Sequence, residues 1–360
     1  MEIQQYPDDF RCPISMEVMS DPVILSSGHT FDRTSIQRWL DSGNRTCPVT
    51  NLPLPPHPSL IPNHALRSLI SNFTPTPPSN SLPCPLSFLK TLTSKSPSSK
   101  LESLAQIPRI SRHIPSFRRQ LIECGAASAV LRLVPHEDLS EAALKVVLDL
   151  SLDGDDARVG LVAEGAVATL VEALDGKSPA ARALAATALT SVAVVEVNKA
   201  TIGAHRPSAI GRLVGMLRCG GGRERREAAT ALYTLCSFAG NRVRAVEAGA
   251  VKEIYGLVGG GGGLDRAVEV LGLLGRCKEG RDQMEGIGGF VRVLVGVLRD
   301  GSARAVEHAL GTLVSVCTYS DRLRLDACRE GVLEACSELV GDENAKIAKN
   351  ALKLIKTLQR

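Results

Sequence analysis

The sequence has few aromatic side chains and no hydrophobic run long enough to cross a membrane. Of its 360 residues only 3% are aromatic, and there is a single tryptophan. β-Sheets are enriched in aromatic and β-branched residues, so this scarcity favours helices packed through small aliphatic side chains. A membrane-spanning helix needs about 20 consecutive apolar residues. We therefore expect a mostly helical protein without a membrane span.

The chain also lacks a strong net charge and a regular cysteine pattern. The net charge is +4, and no run of five or six basic residues occurs. This argues against nucleic acid as a partner. Ten cysteines at irregular spacing indicate reduced thiols more than a disulfide framework. We expect a cytoplasmic location, with the nucleus as an additional compartment.

Most zinc ligands are missing from a segment that has the spacing of a two-zinc RING finger. Of the eight ligand positions, only Cys12, His29 and Cys47 carry strong zinc donors. A structural zinc requires four Cys or His donors in a tetrahedron. We therefore predict no metal and no other cofactor, and hydrogen bonds in place of the metal. The eight positions are Cys12, Ser15, Ser27, His29, Asp32, Ser35, Cys47 and Thr50.

Several short motifs surround these positions in a fixed order. They resemble the U-box, a metal-free relative of the RING finger that occurs in ubiquitin ligases. We assign residues 5–79 to this small α+β domain and expect Arg33 to pair with Glu17 or Asp21. The motifs are Cys12-Pro13-Ile14-Ser15, Asp21-Pro22-Val23, Ser27-Gly28-His29-Thr30-Phe31-Asp32-Arg33, Cys47-Pro48-Val49-Thr50 and Leu60-Ile61-Pro62-Asn63.

The U-box resemblance implies a docking surface for a ubiquitin-conjugating enzyme that carries ubiquitin. Ile14 and Met16 match contacts of the first loop, and Pro48 matches the proline of the second loop. Trp39, on a helix predicted at residues 34–40, is a candidate aromatic anchor. For Ile14 and Trp39 the alternative interpretation is that they fill the small core.

One position departs from the family pattern. The family often has a basic residue after the second loop, which helps to hold ubiquitin in its reactive pose, but this chain has Asn51. We expect the neutral side chain to weaken that contribution. Cys12 and Cys47 have no recognisable partner base, so we do not interpret them as nucleophiles. His29 is interpreted as a structural hydrogen-bonding residue.

A Pro/Ser-rich stretch follows the first domain. We predict that residues 80–100 form a semi-extended, mobile linker, with a short helix near residues 86–92. The first lysines of the chain, Lys90, Lys95 and Lys100, lie in this stretch. They are candidate sites of self-ubiquitination.

The rest of the chain repeats a helical pattern. A glycine or serine followed by an amphipathic run recurs near residues 125, 165, 208, 249, 289 and 331, at spacings of 40 to 43 residues. A helical period near 41 is typical of an armadillo or HEAT solenoid. We predict about six repeats over residues 101–360. Residues 101–124 are expected to form a degenerate first unit in which Pro108 and Pro115 break the helices.

These repeats resemble armadillo repeats, and their combination with a U-box resembles the plant U-box–armadillo family of ubiquitin ligases. The resemblance implies that a protein substrate binds in the groove of the solenoid. Armadillo proteins that bind nuclear-localisation signals carry a tryptophan ladder there, but no tryptophan occupies these positions. In this chain the positions are Lys145, Thr187, Thr230, Glu269, His308 and Asn350.

We therefore predict a ubiquitin ligase without a covalent ubiquitin intermediate. Its U-box would position a ubiquitin-loaded conjugating enzyme, and its solenoid would recruit the substrate. The alternative is a non-catalytic armadillo scaffold or adaptor with a weakened U-box.

Overall fold

The computed structural model describes residues 7–56, 58–72, 84–259 and 265–359. The chain divides into two compact units, Met1–Pro83 and Cys84–Arg360. Within the described ranges, no helix is both long enough and apolar enough to cross a membrane.

The described residues of the first unit form a small antiparallel sheet and two α-helices. The strands are β1 (Pro22–Ile24), β2 (Thr30–Asp32) and β3 (Ile61–Pro62), in the order β2-β1-β3. The helices are α1 (Arg33–Asp41) and α2 (His64–Asn72), and a short 3-10 helix spans Asp8–Phe10. Val23 at the centre of the sheet pairs with Phe31 on one side and with Pro62 on the other.

The core of the first unit is apolar and includes both cysteines of the former zinc pattern. Val23, Phe31 and Ile36 are fully buried, together with Cys12 and Cys47. Sulfur atoms that would ligate a metal in a RING finger therefore contribute to a hydrophobic core here.

The second unit consists of stacked helices. Apart from the first two, the helices of the described residues form six sets of three. In five sets the third helix is the longest, and in the fourth set the second and third helices have equal length. Each third helix packs on the third helix of the next set, and the second helix of the unit packs on the third helix of the first set. The helices are α3 (Pro85–Thr93), α4 (Pro97–His113), α5 (Ser116–Glu123), α6 (Ala126–Leu131), α7 (Glu137–Leu150), α8 (Asp155–Ala163), α9 (Ala166–Ala173), α10 (Pro179–Val192), α11 (Glu196–Ala204), α12 (Ala209–Cys219), α13 (Gly222–Ser237), α14 (Ala239–Glu247), α15 (Ala250–Gly259), α16 (Asp265–Leu274), α17 (Lys278–Gly286), α18 (Phe290–Asp300), α19 (Ala303–Tyr319), α20 (Asp321–Arg329), α21 (Val332–Leu339) and α22 (Ala345–Leu358).

The predicted repeat positions mark the turn before the second helix of each set. Gly165, for example, has a φ of 90° and directly precedes α9. This left-handed conformation favours glycine because it has no Cβ. Ser208, at the one position without glycine, caps α12 through its side chain, which accepts a hydrogen bond from Gly211 N at 3.0 Å. The prediction of about six helical repeats is confirmed.

The predicted mobile linker is wrong from residue 84 onward. Phe88 and Leu92 of α3 are buried in the core of the second unit, and the Phe88 ring meets Phe117 edge-on at 5.5 Å. Pro85 and Pro97 lie at the starts of α3 and α4, where a missing N–H costs nothing. The prolines therefore begin helices instead of preventing them. The predicted helix near 86–92 is confirmed, and residues 80–83 lie outside the described residues.

The expectation that Pro108 breaks a helix is also wrong. Pro108 lies inside α4, which continues to His113. Leu104 and Ile107 on the same helix are buried in the solenoid core. Burial of this apolar face offsets the backbone hydrogen bond that the proline removes. Pro115 does separate two helices, since it directly precedes α5.

Candidate docking surface and groove

Two loops of the first unit have the same sequence pattern and the same hydrogen bonds. Each begins with Cys-Pro and has Ser or Thr as its fourth residue, over residues 12–16 and 47–51. Met16 N donates to Cys12 O at 2.8 Å, and Asn51 N donates to Cys47 O at 2.9 Å. The loops are therefore closed, short turns of similar shape.

Helix α1 holds both loops in place. At the start of the helix, Asp32 N donates to Cys12 Sγ at 3.3 Å. Near its end, Trp39 Nε1 donates to Thr46 O at 2.9 Å, directly before the second loop. Since one rigid element contacts both loops, their separation is fixed by the fold.

Each loop ends in a residue with a left-handed backbone. Met16 has a φ of 60° and Asn51 a φ of 57°. Asparagine adopts this conformation readily, whereas methionine does so at a cost of about 1–2 kcal/mol. Met16 is also 66% exposed. Strained residues with exposed apolar side chains are characteristic of binding sites.

Hydrogen bonds connect side chains at the former zinc positions, as the sequence predicts. Ser27 Oγ donates to Cys47 Sγ at 3.2 Å. One oxygen of the Asp32 carboxylate, Oδ2, accepts hydrogen bonds from the Ser20 and Asp21 N–H groups at 2.8 and 3.1 Å. Within the described ranges, no group of three or more Cys, His, Asp or Glu could hold a metal ion.

The contacts of Arg33 and His29 agree with the sequence predictions. Arg33 Nε donates to Asp21 Oδ2 at 2.7 Å, which confirms Asp21 as its partner. The His29 ring nitrogen Nδ1 lies 3.1 Å from Ser27 O, so His29 has a structural contact.

The environment of the cysteines shifts their pKa values. Burial raises the pKa of the Cys47 thiol, but hydrogen bonds from Ser27, Thr50 and the loop backbone outweigh burial and lower it to about 7. The pKa of Cys12 is also lowered, because hydrogen bonds from Asp32 and its own loop outweigh burial. Both side chains are fully buried. Both sulfur atoms therefore lie in the core of the first unit.

Asp32 provides a test of the hydrogen-bond network. Burial raises the pKa of its carboxyl group, but hydrogen bonds from Asp21, Thr34 and Ser20 outweigh burial and lower the pKa from 3.8 to about 2. The ionised form therefore stabilises the folded state fully above pH 4, by about 2 kcal/mol, and this contribution is lost as the pH falls toward 2. We expect Asp32→Asn to remove this contribution at neutral pH and to flatten the acid dependence.

The measurement is denaturant unfolding of the full chain followed by tryptophan fluorescence. Trp39 is the single tryptophan of the sequence, so the signal reports on the first unit alone. Asp9→Asn is the control, since Asp9 is exposed. Equal acid dependence of wild type and Asp32→Asn would contradict the assignment.

The five predicted docking residues differ in exposure. Met16 and Asn51 are exposed, while Ile14, Trp39 and Pro48 are partly buried. Ile14 and Trp39 also pack against the core. Both therefore have the structural role that the alternative interpretation gave them, while part of each side chain remains accessible.

Two exposed apolar residues at the second loop were not among the predicted docking residues. Val49 is 46% exposed and Leu52 is 60% exposed. They flank Thr50 and Asn51, next to Pro48. Their exposure could have been predicted from their position just after the Cys-Pro pair, because residues in such a short turn cannot all point into the core.

The predicted groove residues lie on the third helices of the sets. Lys145 is exposed, and Thr230, His308 and Asn350 are partly buried. Thr187 Oγ1 donates to Glu227 Oε2 on the next third helix at 3.0 Å. Thr187 therefore also holds two neighbouring repeats together.

The assignment of Glu269 to the groove lining is wrong. Its side chain is 1% exposed, and its carboxylate pairs with Arg266 and Arg304, each at 2.5 Å. Arg304 comes from the next third helix. The carboxylate is therefore buried between repeats and is not available to a ligand.

The candidate self-ubiquitination lysines lie on or between helices. Lys90 on α3 and Lys95 in the following bend are exposed, whereas Lys100 on α4 is partly buried. None of the three lies in a mobile linker, because the helices α3 and α4 belong to the second unit.

Comparison with known families identifies both units. The U-box domain matches residues 6–77, and the plant U-box protein ARM (armadillo) repeat region matches residues 86–360. The chain belongs to the plant U-box proteins with ARM repeats. U-box domain proteins are generally ubiquitin ligases, so this plant U-box protein has a ligase-type architecture.

Its relatives are other plant U-box proteins. The chain is 50% identical over 366 residues to U-box domain-containing protein 8 of Arabidopsis thaliana, covering 98% of this chain and 97% of that protein. It is 31% identical to U-box domain-containing protein 9 of Arabidopsis thaliana, over 92% of this chain and 76% of that protein. It spans 55% of the length of U-box domain-containing protein 16 of Arabidopsis thaliana, at 29% identity over 98% of this chain.

A solved structure shares the fold of this U-box protein. The crystal structure of an engineered protein superposes with a TM-score of 0.70 at 19% identity, over 77% of this chain and 68% of that one. At this identity the likeness shows the fold alone.

Proposed function

We propose that the chain is a ubiquitin ligase whose U-box docks a ubiquitin-loaded conjugating enzyme. The observation that carries this proposal is the pair of matched Cys-Pro loops, both held by α1. They present Ile14, Met16 and Pro48, and Val49 and Leu52 extend the apolar surface beside the second loop. An apolar surface at fixed separation fits a partner that must be held in one orientation.

The proposed chemistry is positioning, with no covalent ubiquitin intermediate on the ligase. The two cysteines of the U-box are buried, so neither is available as an acceptor. The U-box would restrain the thioester of the conjugating enzyme, and the solenoid would bring a substrate lysine near it. We also propose that the protein acts in the cytoplasm, with the nucleus as an additional compartment.

The test is a ubiquitination reaction with ubiquitin, activating enzyme and a broad panel of conjugating enzymes. The full chain is expected to form ubiquitin chains with at least one of them. If it forms none, the alternative of a non-catalytic armadillo scaffold replaces this proposal.

Asn51→Arg is expected to raise the rate of chain formation by about fivefold. A charge-assisted hydrogen bond is roughly twice as strong as a neutral one, which corresponds to about 1 kcal/mol here. The left-handed backbone at Asn51 disfavours arginine, so the first unit should lose about 1 kcal/mol of stability. This loss of stability does not lower the rate of chain formation by the molecules that remain folded. The rate is measured as chain formation at saturating conjugating enzyme.

Asn51→Gly is the matched variant, because glycine keeps the left-handed backbone and removes the side chain. It is expected to lower the rate modestly. Equal rates for wild type and both variants would show that this position does not contribute to the reaction.

Self-modification in the same reactions is expected at Lys90 and Lys95, with less at Lys100. These are the first lysines after the U-box in the sequence, and the first two are exposed. Mass spectrometry of the reaction products measures the sites. Modification confined to the lysines of residues 346–356 would contradict this prediction.

A further inference from the structure

A cleft near the C-terminal end of the solenoid gathers positive charge. It has a volume of about 600 Å³ and lies between α17, α19 and α22. Among the described residues that line it, Arg281, Lys353 and Lys356 are the cations, and none is a carboxylate. Ser315, Thr318 and Tyr319 form part of its wall.

Helix α22 supplies two of the three cations. It carries lysines at positions 346, 349, 353 and 356 and no acidic residue. Residues three or four apart lie on the same face of a helix, so the four lysines form one stripe. Lys346 pairs with Glu307 at 3.7 Å. Lys353 and Lys356 are exposed, and neither forms an ion pair with any described residue.

The third cation is held rigidly. The Arg281 guanidinium lies 4.5 Å from the centre of the Tyr319 ring, and its Nη1 donates to Gly275 O at 3.1 Å. Its Nε is buried and has no hydrogen-bond partner among the described residues. Two carboxylates near this arginine lie outside the lining of the cleft: Asp282 accepts a hydrogen bond from Tyr319 Oη at 2.7 Å, and Glu285 accepts one from Ser320 Oγ at 2.6 Å.

Three other clefts of the solenoid also contain basic residues, but there the charges are paired within the protein. Their pairs are Arg182 with Glu224 and Arg212 with Asp175 in the first, Lys177 with Glu137 in the second, and Arg292 with Glu330 in the third. A cleft that keeps its cations unpaired is suited to a ligand that brings the negative charge.

The cleft continues the predicted groove. On α19, Gly311 and Ser315 lie three and seven residues after His308, and on α22, Lys353 lies three residues after Asn350. These spacings place them on the same helix faces as the groove positions. A peptide bound along the last two third helices would therefore meet the basic cleft.

We propose that this cleft binds an anionic segment of a partner protein, with acidic or phosphorylated side chains. The proposal deepens the recruitment of a substrate by the solenoid, and it rests on that part of the proposed function. The cations line a recess between helices, which admits side chains of an extended peptide. A flat membrane surface or a nucleic-acid duplex would reach the outer lysines of α22 but not Arg281, which is partly buried.

The experiment measures binding of fluorescent peptides to the full chain by anisotropy. The probes are a serine/glutamate peptide, the same peptide with a central phosphoserine, and a neutral version with glutamine in place of glutamate. The two anionic peptides are expected to bind, and the neutral one is expected to bind at least tenfold more weakly. The double variant Lys353→Gln with Lys356→Gln is expected to weaken binding of the anionic peptides by about tenfold, because two exposed charge pairs between the cleft and the peptide are lost. Lys353→Arg with Lys356→Arg should retain binding.

The matched control is Arg218→Gln with Lys252→Gln, which removes two exposed charges from second helices of the solenoid, away from the third helices that carry the groove positions. It should leave binding unchanged. Equal weakening by the control would show general charge attraction and overturn the proposal, as would equal binding of the neutral peptide. Displacement of the peptide by anionic vesicles or single-stranded RNA, with the same loss in the Lys353/Lys356 variant, would replace the protein partner by those ligands.

The outcome is independent of the ligase assay, because Ile14→Ala should leave peptide binding unchanged. Peptide binding without chain formation would leave the cleft assignment standing and overturn the ligase proposal. Chain formation without peptide binding would support the ligase proposal and overturn the cleft assignment.

Discussion

Replacing Ile14 or Pro48 with alanine is expected to lower the rate of ubiquitin-chain formation by at least tenfold. Central apolar contacts of an interface typically contribute about 2 kcal/mol or more to binding, which corresponds to roughly thirtyfold in affinity. Ile14 and Pro48 lie in the two loops that α1 holds at a fixed separation. Loss of either contact leaves the conjugating enzyme held by one loop only.

The reaction is measured with the conjugating enzyme that is most active with wild type, below saturation. Ile14 also packs against the core, so stability must be measured alongside activity. Fluorescence of Trp39 shows whether each variant is folded. Leu69→Ala is the control, because Leu69 is an apolar residue of the same unit that is 60% exposed but lies on α2, away from both loops in the sequence. Normal rates in folded Ile14→Ala and Pro48→Ala would exclude these loops as the docking surface.

The double variant Arg266→Ala with Arg304→Ala is expected to destabilise the solenoid by about 3–5 kcal/mol. It leaves the Glu269 carboxylate, which is 1% exposed, without a charged partner. A buried charge that loses its partners has this cost because its desolvation is no longer offset. The variant also removes the contact of Arg266 with the Tyr233 ring, at 4.6 Å. Thermal and denaturant unfolding followed by far-UV circular dichroism measure the loss.

Adding Glu269→Gln to the double variant should restore much of the stability, because the buried charge is then absent. Arg329→Ala is the surface control, since Arg329 is 76% exposed and pairs with Asp326 at 3.6 Å. Exposed ion pairs contribute about 0–1 kcal/mol. A double variant no less stable than this control would show that the buried carboxylate is held by other groups.

Much of the fold follows from local sequence patterns. The repeat period, the glycines at the turns and the apolar spacing of the third helices depend on interactions within one helix or one turn. These features can therefore be predicted from the sequence, as Gly165 at the turn before α9 shows. The prediction of hydrogen bonds at the former zinc positions depends on residue type at a known spacing, and Asp32 and Ser27 confirm it.

The errors arose where distant residues decide the outcome. Pro85, Pro97 and Pro108 resemble helix breakers when only their neighbours are considered. Phe88, Leu92 and Ile107 are buried against helices that lie later in the chain. That burial stabilises α3 and α4. It cannot be predicted from the helix propensities of the residues in these two segments.

The sequence by itself determined the two-unit organisation, the family, and the residue types available at the loops and along the groove. Only the tertiary structure decided which of these residues are accessible. Glu269 is buried by arginines of two different helices, whereas Lys353 and Lys356 face a cleft whose described lining contains no carboxylate. The physical reason is that the pairing of a charge depends on which side chains the stacking of repeats brings within a few ångströms, and those side chains are about 35 to 40 positions apart in the sequence.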